Sequence, residues 1–246
     1  MPDIYKHGYD NFKKITVLFI LQIILGVLPF VLLVVYIGFS LYSNAVLGYV
    51  FIAVMAVTAA ANFTITKRYN VLLSGFKGEK SLMKTVKKLG GEYTVFANVP
   101  VRYKKNRSEI DLLVMCDRYI IIIEVKNHSG YIYGNHKDET WTQRKIYRDG
   151  KTTETNMTSP IRQMRRQRDI IKSILRANDL DQWVATVLYF SAPTVHLYLD
   201  LSDSDNVCSS EKELLEFLRT YKSPKPIDRD KLEKIKLLFK DMCSNK

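Results

Sequence analysis

Between Lys14 and Lys67 the chain carries no Asp, Glu, Lys, Arg or His. A stretch so long and so free of charge leaves few options, because roughly 20 apolar residues already cross a bilayer core as a helix. Two such segments fit. "ITVLFILQIILGVLPFVLLVVY" covers residues 15–36 and "AVLGYVFIAVMAVTAAANFTI" covers residues 45–65, with the short polar break "SLYSN" between them. Pro29 falls inside the first, which membrane helices tolerate. A cleaved signal peptide is excluded by length, since its apolar region runs only about 7–15 residues. Two featureless apolar helices are also more than the core of the remaining soluble part needs. The expectation is a transmembrane hairpin over residues 15–66, between a tail at 1–14 and a soluble domain at 67–246.

The flanks set the expected orientation. Lys13 and Lys14 precede the first helix, Lys67 and Arg68 follow the second, and the connecting loop has no charge. Positive charge favours the cytoplasmic side, so the N-terminus and the C-terminal domain are both expected there. Cys116, Cys208 and Cys243 are odd in number and widely spaced, forming neither a disulfide framework nor a zinc motif. His7, His128, His136 and His196 are equally scattered, which argues against a histidine metal site. Hairpin proteins often self-associate, so a homo-oligomer in the lipid bilayer is part of the expectation.

After Lys67 the sequence reads as an ordinary basic soluble domain; the whole chain of 246 residues has a formal charge of +12. "SGFKGEKSLMKTVKKLGGEY" predicts a helix whose inward face holds Leu82, Met83, Val86 and Leu89, ended by Gly90 and Gly91. Glu79 shares that face, either as a first-turn acid complementing the helix dipole or as a site residue. "YTVFANVPV" alternates like a strand, and the basic turn "RYKKNRS" leads into "SEIDLLVMCDRYIIIIEVKN". A two-residue turn at Asp117 and Arg118 would pair Cys116 with Tyr119, Asp111 with Glu124 and Glu109 with Lys126. Residues two apart share a strand face, so Glu124 and Lys126 project together beside Asp111. Two carboxylates and an ammonium among so many isoleucines are costly to bury unless they are paired or do chemistry. The chemistry they suit is a hard-oxygen pocket for Mg²⁺ with a lysine beside it. A salt-bridged strand end, with Lys126 neutralising Glu124 or Glu109, is the bland alternative.

Downstream, "HSGYIYGNHKDETWTQRKIYRDGKTTETN" predicts further antiparallel strands with "RDGK" as a hairpin turn. A helix is expected from Ser159 as N-cap, with Pro160 in its first position. Arg162, Arg165, Arg166, Lys172 and Arg176 make a basic stripe along it, and Gln163 and Gln167 border its apolar face. Such a stripe is either a solvated face or a surface for a phosphate backbone. "WVATVLYFS" and "VHLYLD" read as strands, "SSEKELLEFLRTY" as a helix with a capping box from Ser210 to Glu213, and "DRDKLEKIKLLFKDM" as a last amphipathic helix. Gly-rich nucleotide loops, nucleophile elbows and internal repeats do not occur.

With these residues in view, residues 75–191 resemble the NERD family, the nuclease-related domain, placed by fold in the PD-(D/E)xK superfamily of restriction-endonuclease-like nucleases. The resemblance rests on Gly75, Gly78 and Glu79; on Glu109 to Asp111; on Ile123 to Asn127 with Gly130 and Trp141 after it; and on Pro160 with Gln163. It implies an α/β fold, a mixed sheet flanked by helices, with a metal site at the strand ends. It also implies that Asp111, Glu124 and the backbone carbonyl of Val125 bind Mg²⁺ or Mn²⁺, with Glu79 close to the metal. Lys126 would be the catalytic lysine, and Gln163 would lie near it or near the scissile phosphate. Ser159 departs from the asparagine expected before the proline, and should still cap the helix. The expected activity is a membrane-tethered, metal-dependent nuclease cutting DNA, with Arg162, Arg165, Arg166 and Lys172 on the nucleic acid. The alternative is a non-catalytic module that binds nucleic acid or a partner, and a third reading is a membrane assembly scaffold.

Overall fold

The computed structural model describes residues 1–7, 11–38 and 45–244. The polar break "SLYSN" expected to join the two apolar helices lies outside the described residues. The chain divides into two compact units, Asp10–Phe76 and a second made of Met1–Tyr9 with Lys77–Lys246.

The first unit holds helix α1, Asn11–Gly38, and most of helix α2, Ala45–Val86. Both are long and apolar enough to cross a membrane, and their most apolar windows are 0% and 6% buried. Core helices of a soluble protein would bury that surface. Phe12 faces Phe76, Phe19 faces Tyr69 and Tyr36 stacks on Phe51 at 4.7 Å between ring centres. These pairs define an antiparallel register of α1 against α2. The helix expected over residues 74–89 is the last stretch of α2, which ends at Val86 without reaching Gly90.

The second unit is built on a six-stranded mixed sheet. Its strands are β1 (Asp3–Lys6), β2 (Thr94–Tyr103), β3 (Asn106–Cys116), β4 (Tyr119–Lys126), β8 (Ala185–Phe190) and β10 (Asn206–Cys208), in the order β1-β2-β3-β4-β8-β10. β2, β3 and β4 run antiparallel, whereas β1 on β2, β4 on β8 and β8 on β10 are parallel. The run Tyr119–Ile123 is apolar without alternation because helices cover both faces of the sheet. On one face Leu82, Val86 and Leu89 join Leu214 and Leu218 of α4 (Glu211–Thr220). On the other, Ile170, Ile171 and Ile174 of α3 (Pro160–Ala177) join Leu232, Ile235 and Phe239 of α5 (Arg229–Ser244).

A second sheet, unforeseen in the sequence, has the order β7-β6-β5-β9, made of β5 (Gly130–Asn135), β6 (Thr140–Ile146), β7 (Thr152–Thr158) and β9 (Val195–Asp200). The expected antiparallel strands and the "RDGK" turn are present, but β9 joins them in parallel to β5. Its inner face sets Ile132 and the buried Trp141 against Ile161 and Met164 of α3 and Leu188 and Phe190 of β8. Gly134 is obligatory at this packing, since a Cβ there would sit 2.4 Å from the Trp141 ring.

One expectation about caps is corrected. Ser159 occupies the N-cap position of α3, but its side chain makes no capping bond, and its buried hydroxyl has no partner. Its backbone, at φ −54° and ψ 116°, differs from the extended conformation that brings a serine hydroxyl over the amides of the first turn. Ser210 has that conformation, φ −139° and ψ 157°, and accepts from the Glu213 amide at 3.2 Å. Glu213 reaches back to the Ser209 amide at 2.7 Å, one residue earlier than a capping box requires.

Candidate active site

The two-residue turn at Asp117 and Arg118 forms as expected, pairing Cys116 with Tyr119 and continuing to Leu112 with Ile123. There the ladder stops. Asp111 turns its carboxylate onto the next strand, its Oδ2 accepting from the Val125 amide at 2.8 Å. Opposite Asp111 on the other side, Asn98 of β2 has a left-handed backbone with φ 54°, and the β2–β3 pairing skips it between Ala97–Leu112 and Val99–Ile110. Three adjacent strands thus lose regular pairing at one level, which is where side chains converge.

Glu124 lies at the centre with 2% of its surface exposed. Its Oε1 accepts from Lys126 Nζ at 2.6 Å and from Gln163 Nε2 at 2.7 Å, and its Oε2 accepts from Gln167 Nε2 at 2.9 Å. Lys126 Nζ also donates to Gln163 Oε1 at 3.2 Å. The lysine therefore pairs with Glu124 and not with Glu109, because residues two apart on β4 share a face and come closer than the cross-strand position. Burial, and after it the charge of Glu124, push the Asp111 carboxyl from 3.8 up to about 8, against the pull of the Val125 amide and of Lys126. Glu79 adds to the rise, so the three acids feel one another.

Glu79 is carried by the end of α2 and accepts a long contact, 3.5 Å, from Asn98 Nδ2. The approach of that helix to β4 depends on Gly78, where a Cβ would lie 3.2 Å from the Asn127 Cβ and 3.4 Å from Ser191 Oγ. Gly75 has no such neighbour. Among the described residues no three His, Cys, Asp or Glu side chains gather into a ready-made metal ligand set.

Asp111, Glu124, Lys126 and Gln163 are thus brought together, with Glu79 beside them. Two members were missed as site residues. Gln167 is fully buried and donates to both Glu124 Oε2 and the Glu109 carbonyl, at 2.9 Å each, while its own Oε1 is buried without a partner. Its position one turn after Gln163 was the available signal. Asn98 offered none beyond the tolerance of asparagine for left-handed backbone.

The basic stripe of α3 divides. Arg162 pairs with Glu139, Arg165 with the buried Asp205, Arg176 with Asp181, and Lys172 lies 6.0 Å from the Trp183 ring centre. Arg166 is exposed. Arg162, Arg165 and Arg166 line a cleft of about 380 Å³ with Tyr103 and Asn106 of the β2–β3 hairpin.

The comparisons bear on these residues directly. Residues 74–191 match the sequence model of NERD, the nuclease-related domain. An uncharacterized protein of Bacillus anthracis is 32% identical over 82 residues, which cover 32% of this chain and 39% of that protein. The chain therefore spans well under half the length of that relative. No solved structure matches the chain. With the match enclosing Glu79, Asp111, Glu124, Lys126 and Gln163, residues 74–191 of this chain belong to the NERD, nuclease-related family.

Proposed function

We propose that the protein is a membrane-anchored, divalent-metal-dependent nuclease that hydrolyses DNA phosphodiesters on the cytosolic side. The observation that carries this reading is the convergence of Asp111, Glu124, Lys126 and Gln163 at the broken end of the β3–β4 ladder. The residues fit a hard divalent cation. Two acids whose mutual repulsion raises the Asp111 carboxyl offer a local excess of negative charge, and Mg²⁺ commonly takes one or two carboxylates plus water and phosphate oxygens. Asp111, Glu124 and the Val125 carbonyl would hold it, with Glu79 nearby. When bound, such an ion supplies charge neutralisation at the phosphate and a more acidic water.

The chain's own residues divide the remaining work. Gln163 and Gln167 hold the two oxygens of Glu124 in place. The Val125 amide holds Asp111. Lys126 sets a positive charge at the site, where it stabilises negative charge growing on the phosphate. The cleft lined by Arg162, Arg165 and Arg166 lies on the helix that carries Gln163, and supports a phosphate-backbone path to the site.

Membrane anchoring draws support from β1. Asp3–Lys6 pairs with Thr94–Ala97, so the chain before and after the uncharged stretch belongs to one unit and stays on one side of any bilayer. Two crossings satisfy that condition and one does not. The flanking Lys13, Lys14, Lys67 and Arg68 favour the cytoplasmic side.

A second reading, a non-catalytic module binding nucleic acid or a partner, is favoured by the closed ion pair of Lys126 and Glu124 at 2.6 Å. Cleavage assays on the full chain in detergent decide between them, with linear, circular, single-stranded and RNA substrates and with Mg²⁺, Mn²⁺, Ca²⁺ or chelator. Metal-dependent cutting that drops by about 10²-fold or more in Lys126→Ala and Glu124→Gln establishes the nuclease. Salt-sensitive binding without cutting, unchanged in both variants, establishes the binding module.

A further inference from the structure

The two apolar helices enclose a feature that the nuclease reading does not use. A cleft of about 780 Å³ lies between α1 and α2, lined by Lys13, Lys14, Lys67 and Arg68 and by apolar walls that include Val17 and Val71. The aromatic pairs fix the helix register, which sets Lys14 level with Ser74 and Arg68 level with Ile20. The cations thus stand in two tiers, roughly 9 Å apart along the helices at six residues of separation. Lys67 and Arg68 lie alongside the apolar run of α1, below the level of Lys13 and Lys14. The unit Asp10–Phe76 holds these four cations against a single acid, Asp10. Its charge therefore calls for an anion from outside the unit.

The cleft asks for a ligand with a negative group at one end and hydrocarbon at the other. A phosphate backbone would use the cations and waste the apolar walls. A zwitterionic lipid would use the walls and offer the cations no net charge. We propose that this cleft is a binding site for an anionic phospholipid, its phosphate between Lys13, Lys14, Lys67 and Arg68 and an acyl chain along Val17 and Val71. Basic pockets between membrane helices on the cytoplasmic side are a known physical solution for lipid headgroups. The proposal rests on the membrane-anchored reading and is independent of the nuclease chemistry.

The test uses the full chain reconstituted in phosphatidylcholine vesicles with graded phosphatidylglycerol. Resistance to alkaline carbonate reports integration, and native mass spectrometry after mild detergent extraction reports the lipid retained. The expected result is retention of phosphatidylglycerol over phosphatidylcholine, weakened roughly 30-fold in Lys67→Gln/Arg68→Gln, each cation contributing a factor of about five. The charge-preserving Lys67→Arg/Arg68→Lys restores retention and excludes misfolding as the cause. An integrated protein that retains both lipids alike, or whose variants retain phosphatidylglycerol unchanged, overturns the lipid site and leaves the membrane reading standing. Release by carbonate overturns both. Displacement of phosphatidylglycerol by a short oligonucleotide reassigns the cations to nucleic acid and likewise overturns the proposal.

Discussion

Glu124 is nearly inaccessible, and its bonds to Lys126, Gln163 and Gln167 explain how a carboxylate is tolerated among isoleucines. Gln167 deserves a direct test because its bonds run to Glu124 and to the Glu109 carbonyl, linking β4, β3 and α3. Gln167→Leu keeps the volume and leaves both acceptors unpaired, so urea unfolding should show a loss of about 1–3 kcal/mol. If Gln167 positions Glu124, cleavage in that variant falls even where the protein remains folded. His128 provides a pH handle. Burial holds its ring below the ordinary 6.5, with Lys126 and Lys145 adding to the effect against the hydrogen bond with Gln143. The unfolded chain binds this proton more readily than the folded one. Its contribution to stability is therefore complete above pH 6.5 and is lost as pH falls through the lowered value. Urea midpoints at neutral and mildly acid pH should separate more in the native protein than in His128→Gln; equal separation removes His128 from the account.

Among the elements, the hairpin of β3 and β4 was legible because Asp117 and Arg118 make the shortest turn and so leave one register for the acids. The caps were less so. Ser159 and Ser210 both precede helices with suitable spacing, yet backbone dihedrals let Ser210 cap and not Ser159, and sequence spacing does not encode those angles. The join of α2 to the sheet turns on Gly78. A Gly78→Val side chain would meet Asn127, Ser191 and the Val125 side chain, whose atoms lie 3.2–3.5 Å from the Cβ position. The end of α2, and Glu79 with it, would have to back away from β4. The expected outcome is a marked drop in metal-dependent cleavage with near-native secondary structure by circular dichroism. Unchanged cleavage would remove the helix approach, and with it Glu79, from the site.

For the molecule as a whole, β1 is the informative surprise. The first residues, read as a tail, form a strand of the six-stranded sheet, with Tyr5 stacked on Phe96 at 5.2 Å and His7 bonded to the Cys243 carbonyl at 2.9 Å. Sidedness can be measured with impermeant thiol reagents in intact cells, but not on native cysteines, since Cys116 and Cys208 are buried. Lys105→Cys, in the exposed β2–β3 turn, and Met1→Cys after an added start residue are better reporters. Both should resist labelling from outside and react only after permeabilisation. Labelling of the two on opposite sides would contradict the pairing of β1 with β2 as well as the hairpin.

Two apolar helices, an α/β domain after them, and the order of acids and lysine along one strand pair were all written in the sequence. Each depends on local pattern: charge-free length, side-chain period, and a two-residue turn that leaves one register. Folding in three dimensions added what no local pattern carries. It closed β9 onto β5, brought β1 back to the sheet across the whole apolar stretch, kinked β2 at Asn98 and buried Gln167 against Glu124. These are contacts between segments far apart in the chain, where the choice among partners is made by shape and burial. The same physics separates the stripe on α3, whose arginines look alike in order but meet Glu139, Asp205 or solvent according to what packs beside them.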